Sequence, residues 1–132
     1  MDLYLLDTNT CAYYIGGKYG MRKRMEAHPF LQYRISEITV AELKFGVERS
    51  PVPEENREVV QRFISKVQVL PIYPCLDIYA KEKSRLRSIG QIIDDFDLLI
   101  GATAIANGLI LVTNNEKHLS RMENIRIENW TK

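Results

Sequence analysis

Short apolar runs alternate along this chain with longer amphipathic stretches. Residues 3–6 read as a buried strand that stops at Asp7. Residues 9–16 read as a short helix, capped by Thr8 or Asn9 and broken at Gly16-Gly17. A charged helical stretch over 18–26 ends at His28-Pro29. Tyr33 to Ser36 alternates as a second strand, and residues 39–47 read as a helix. Pro51 and Pro53 mark the next loop. An amphipathic helix over 54–67 places Val59, Val60, Phe63, Ile64 and Val67 on one face. A third strand is expected over 69–72 and a helix over 76–89, with Lys81, Lys83, Arg85 and Arg87 on its outer face. Residues 96–107 form a nearly all-apolar helix, stopped by Gly108. Residues 109–112 give a fourth strand, 116–121 a short helix and 125–127 a last strand.

This alternation predicts an α/β fold: a central, mostly parallel sheet of about five strands, covered by helices on both faces. The 132 residues suit a single domain over 1–132, with 45% hydrophobic residues for its core. The stretch from Pro29 to Pro53 reads as a turn-rich insert in the pattern. A net charge of +1 gives no global basic field, so a nucleic-acid partner must be held by a local patch. Cys11 and Cys75 are far apart, without metal-ligand neighbours, and read as buried free thiols of a reducing compartment. No apolar run approaches the length of a membrane span, and no signal peptide precedes Leu3; the expectation is a cytoplasmic protein without a membrane partner.

In open α/β sheets, ligands collect outside the carboxyl ends of the strands. Acids and amides recur there. Strand one ends at Asp7, strand two leads into a helix carrying Glu42, and strand four runs into Thr113-Asn114-Asn115-Glu116. The helix before strand four begins Asp94-Asp95-Phe96-Asp97. Each residue also has an ordinary structural use. Asp7 suits a helix cap. Glu42 follows Thr39 by three residues, as in a capping box. Asp94 and Asp95 suit a helix N-terminus, where the macrodipole favours anions. Asn115 is a common turn residue. Asp97 is explained less well, because it shares the face of Ile100, Gly101, Ala104 and Ile105. Converging carboxylates repel, and a hard divalent cation with oxygen ligands relieves them.

Four stretches, LLDTNTCAYYI, ISEITVAELKFGV, DDFDLLIGATAIANGLILVTNN and IRIENW, together resemble PIN-domain ribonucleases, specifically VapC-type toxins of bacterial toxin–antitoxin pairs. The resemblance spans nearly the whole chain. It implies a three-layer α/β/α fold and a metal-dependent endoribonuclease using Mg²⁺ or Mn²⁺. It also implies a homodimer silenced by a VapB-type antitoxin. The family's site positions fall on Asp7, Glu42, Asp97 and Asn115. The first three are expected as metal ligands, with Asp95 and Glu116 as minor candidates. Thr8, Asn9 and Thr113 are expected to support them by hydrogen bonds. Many relatives carry Asp where this chain has Asn115, which removes one negative charge. That favours one firmly bound ion and a second arriving with substrate.

The implied reaction is in-line attack of water on an RNA phosphodiester, leaving a 5′-phosphate and a 3′-hydroxyl. Lys18, Arg22, Lys23 and Arg24 are the candidate RNA patch, with Tyr13, Tyr14 and Tyr19 near enough in sequence to stack on bases. The helical faces of 9–16 and 54–67 offer a groove for an amphipathic antitoxin segment. A haloacid-dehalogenase-type phosphatase needs an Asp two residues after Asp7, where Asn9 stands. A receiver-type domain needs a Lys after a late strand, which LILVTNN lacks. A catalytically silent PIN-fold module that only binds RNA or protein is the alternative that Asn115 keeps open.

Overall fold

Five short strands form one parallel sheet in the order β3-β2-β1-β4-β5. They are β1 (Tyr4–Leu6), β2 (Tyr33–Ser36), β3 (Gln68–Leu70), β4 (Ile110–Val112) and β5 (Arg126–Glu128). Seven helices connect them: α1 (Thr8–Gly16), α2 (Met21–Glu26), α3 (Glu37–Glu48), α4 (Pro53–Ile64), α5 (Leu76–Ser88), α6 (Asp95–Ala106) and α7 (Glu116–Leu119). These features come from a computed structural model, which describes residues 2–132. All four strand pairings are parallel, and the fold is the expected three-layer α/β/α arrangement.

The central strands β1 and β4 are apolar on both faces because both faces are covered there. Successive side chains alternate sides. Leu5 and Leu111 therefore enter one core, with Leu86, Leu98, Ile100, Leu119 and Met122. Leu6 and Val112 enter the other, with Tyr14, Met21, Met25, Tyr33, Ile35, Phe63 and Trp130. Gly101 lets α6 approach closely, since a Cβ there would collide with the sulfur of Met122. Gly17, at φ 71°, ends α1 in the left-handed conformation that glycine adopts without strain.

The chain order places the site. From β1 the chain moves outward through β2 to β3, then returns to pair β4 with the other side of β1. The crevice at the carboxyl ends of β1 and β4 is thus the switch point of the sheet. Asp7 N–H donates to the Val112 carbonyl at 3.1 Å, and Thr113 N–H to Glu128 at 3.0 Å, pinning these strand ends.

Several local expectations are corrected. Asp7 caps α1 itself, accepting from Thr10 N–H at 2.8 Å, so Thr8 is already helical. Ser36, not Thr39, caps α3, accepting from Ile38 N–H. Glu42 therefore lies inside the helix and closes no capping box. Both strands run into their helices without a loop, because a cap residue has the same extended backbone as a strand end. The stretch from Pro29 to Pro53 is no insert: it holds β2 and α3. Helix α4 ends at Ile64, leaving Val67 beyond it, and β3 ends at Leu70.

Candidate active site

Asp7, Glu42, Asp97 and Asn115 arrive from different elements. Asp7 follows β1, Glu42 lies on α3, Asp97 on the first turn of α6, and Asn115 caps α7 after β4. Asp7 is buried, and burial raises its pKa above the usual carboxylate value; hydrogen bonding from Thr113 and Thr10 offsets part of this. The Asp97 carboxyl is also held above its usual value. Burial contributes most, followed by the charges of Asp94, Asp7 and Glu42, while a hydrogen bond from Asn115 works the other way. The three acids thus share one electrostatic neighbourhood.

Small polar groups hold this pocket in place. Thr8 Oγ1 donates to Glu42 Oε1 at 2.5 Å and lies 3.2 Å from Thr39 Oγ1. Thr10 Oγ1 donates to the Val112 carbonyl at 3.1 Å, tying α1 to β4. Thr113 Oγ1 accepts from Asn115 N–H at 3.0 Å. Asn115 Nδ2 donates to Asp97 Oδ2 at 3.2 Å, and its Oδ1 contacts His118 Nδ1 at 2.7 Å. Asn9, expected beside these residues, is exposed and takes part in none of these bonds. Sequence reading missed Thr10, Thr39 and His118 as parts of the pocket, and placed Asp94 at this edge only as a helix N-terminal acid. Only His118 carried a signal, its i+3 spacing from Asn115.

Among the described residues, no Lys, Arg or His forms an ion pair with Asp7, Glu42 or Asp97. The neighbouring acids differ. Asp95 pairs with Lys83 at 2.8 Å and accepts from Tyr79 at 2.9 Å. Glu116 pairs with Lys132 at 3.0 Å and accepts from Asn129 at 3.3 Å. Those bonds hold both carboxyls below their usual range. Among the described residues no group of three or more His, Cys, Asp or Glu side chains is arranged to hold a metal ion. The donor set is all oxygen, acidic and without a cationic side chain. That suits an ion such as Mg²⁺, which keeps several waters and needs few carboxylates.

The basic segment is only partly free. Arg22 donates to the Tyr14 and Ile15 carbonyls at 2.9 and 2.6 Å, closing the end of α1. Arg24 lies over the Trp130 ring. Lys18 and Lys23 are exposed. Tyr14 is core, donating to Glu26. Tyr19 is 60% exposed and packs edge-on against Tyr13, at 4.7 Å between centroids. Tyr13 accepts from Asn114 Nδ2 at 2.9 Å, which brings this aromatic pair to the rim of the acid pocket. On the other side, a groove of about 560 Å³ opens between α1, α3 and α4. Ala12, Ile15, Val59 and Val60 line it together with Thr8 and Glu42. Both cysteines are buried free thiols, and no helix among the described residues is long and apolar enough to cross a membrane.

Known proteins match over nearly the whole chain. The PIN domain model covers residues 4–125. Ribonuclease VapC2 of Rickettsia felis is 34% identical over 98% of this chain and 99% of that protein. The tRNA(fMet)-specific endonuclease VapC of Salmonella typhimurium is 36% identical over 96% of this chain and 97% of its own. Among solved structures, Rickettsia felis VapBC2 bound to a promoter DNA fragment superposes at TM-score 0.88, with 34% identity over 97% of this chain and 98% of that one. DNA-bound VapBC of Salmonella typhimurium gives 0.89, with 34% identity over 98% and 99%.

Proposed function

The chain belongs to the PIN-domain family and to its VapC-type ribonucleases, the RNA-cleaving toxins of toxin–antitoxin pairs; from that premise we propose how its own residues carry the activity. The observation that carries the proposal is the pocket of Asp7, Glu42 and Asp97, three acids from three elements with no cationic side chain to balance them. Asp7 and Asp97 would hold one Mg²⁺ or Mn²⁺, with Glu42 completing the shell or orienting the attacking water. When bound, that cation supplies Lewis acidity to the water and offsets charge on the phosphate.

The remaining work falls to the chain. Thr8 fixes the Glu42 carboxylate. Thr10 N–H and Thr113 hold Asp7. Asn115 donates to Asp97 and leaves the pocket one charge less negative than an Asp would. Asp95 and Glu116 keep to their lysines and stay out of the ligand set. RNA approaches over Lys18 and Lys23, and the exposed Tyr19 ring, braced by Tyr13, offers a base a stacking face. The VapB-type antitoxin lays an amphipathic segment in the groove between α1, α3 and α4, and so covers the approach to Glu42. The protein works as a single domain over 1–132, as a homodimer in the cytoplasm.

The test uses protein purified free of antitoxin and incubated with structured RNA. Cleavage is expected with Mg²⁺ or Mn²⁺ and is expected to vanish with EDTA. Cleavage that persists in EDTA overturns the metal-dependent mechanism, and no cleavage of any RNA with either ion overturns the nuclease reading in favour of a silent binding module.

A further inference from the structure

Asn115 stands at the N-cap of α7, where an Asn side-chain oxygen ordinarily accepts a backbone N–H of its own helix. Here it makes no such bond. Its two amide atoms are used elsewhere. A carboxylate only accepts hydrogen bonds, so the edge of the amide facing Asp97 must be the donor, Nδ2, at 3.2 Å. That leaves Oδ1 directed at His118, whose Nδ1 is 2.7 Å away. An oxygen acceptor at that distance requires a proton on Nδ1. The ring thus takes the place of the backbone N–H that an N-cap would normally bind.

Resting on the reading of the pocket as a nuclease site, we infer that His118 is a positioning residue. Its Nδ1–H holds the Asn115 amide so that Nδ2 faces Asp97, which makes Asn115 a hydrogen-bond donor to that acid and not a metal ligand. Its carbonyl oxygen, the only atom of an amide that binds a hard cation, is turned towards His118, while Nδ2 faces Asp97. The backbone cooperates, because Thr113 Oγ1 accepts from Asn115 N–H and fixes the turn. Nδ1–H is a donor in both the neutral and the protonated ring, so the clamp does not depend on the ring's charge.

The clamp is read first without metal or RNA. Nitrogen NMR of histidine-labelled, metal-free protein, recorded where the rings are neutral, reports the tautomer of each ring. His118, assigned by its loss in His118→Leu, is expected as the Nδ1–H form. It should revert towards Nε2–H in Asn115→Ala. Cleavage is the second readout. His118→Leu should lower kcat by roughly 10–100-fold, as loss of a partner behind a site residue does. His118→Asn, which places an amide N–H near the Nδ1 position, should restore most of it at similar Tm. An Nε2–H tautomer in the wild type, or His118→Leu cleaving RNA at the wild-type rate, overturns the inference. If the Nδ1–H tautomer is found and the wild type cleaves nothing, the clamp stands and the nuclease reading falls.

Discussion

Asp7 and Glu82 are the two buried carboxylates among the described residues, and they are held in opposite ways. Glu82 accepts from Arg85 at 2.8 and 3.1 Å and from Glu123 N–H at 2.7 Å, and the Arg85 bond lowers its pKa despite burial. Asp7 has hydroxyls and a backbone N–H around it, no cationic side chain, and a raised pKa. Burial is therefore not what marks a functional acid. Glu82 carries its own counter-ion and fastens α5 to the loop before β5. Asp7 has no counter-ion among the described residues, an arrangement costly for a purely structural carboxylate and the ground for proposing it as a metal ligand. The same contrast recurs two residues apart on α6, where Asp95 has Lys83 and Asp97 has none.

The comparison breaks most visibly in activity. Asp7→Asn or Asp97→Asn should lower RNA cleavage by roughly 10²–10³-fold, the scale of losing one electrostatic element of a transition state. Glu82→Gln should leave cleavage within about twofold, since it touches no part of the pocket. Steady-state cleavage of one structured RNA under saturating Mg²⁺ checks both. Equal losses in all three variants would mean that the assay reads stability and not chemistry. Glu42→Gln comes next, with a fall of roughly tenfold or more and a change in unfolding free energy within about 0.5 kcal/mol. Gln still accepts from Thr8, and the helix keeps its cap at Ser36. Urea melts run beside the cleavage assay separate the two effects.

Much of this layout was legible in the chain. Runs such as LILV and YLL announce strands because the central strands of a sheet covered on both faces need apolar residues at every position. The all-apolar α6 was equally plain. The caps were not, since Asp7 and Ser36 each end a strand and begin a helix, and periodicity assigns such a residue to neither. Asp7 in particular serves as both cap and candidate ligand, two uses that sequence reading set against each other. The fates of Asp95 and Glu116 were hidden for another reason. Their lysines lie at positions 83 and 132, and only packing of α5 on α6 and of the chain end on α7 brings them near. His118 shows the reverse case, a spacing visible in sequence whose meaning depends on which way an amide points.

The smallest effect discriminates the two buried acids most finely, through opposite signs in pH. The folded-state pKa of Asp7 is raised above its unfolded value, so the folded state binds that proton more tightly. Its contribution to stability is full below the usual aspartate pKa of about 4 and is lost as pH rises through the folded value. In metal-free protein at about pH 7, Asp7→Asn should therefore gain on the order of 1 kcal/mol, because Asn keeps the cap and drops the charge. That gain should fade as pH falls towards 4 or so. Glu82 runs the other way. Its folded pKa is lowered, so its stabilisation is present above the usual glutamate value and is lost as pH falls through the folded one. Glu82→Gln should cost on the order of 1–2 kcal/mol at about pH 7 and progressively less in acid. Added Mg²⁺ should raise the Tm of the wild type and of Glu82→Gln, and leave Asp7→Asn unmoved, since a ligand stabilises only a state that binds it. If metal-free Asp7→Asn instead loses stability as Glu82→Gln does, Asp7 is a fixture of the fold and the contrast between the two acids fails.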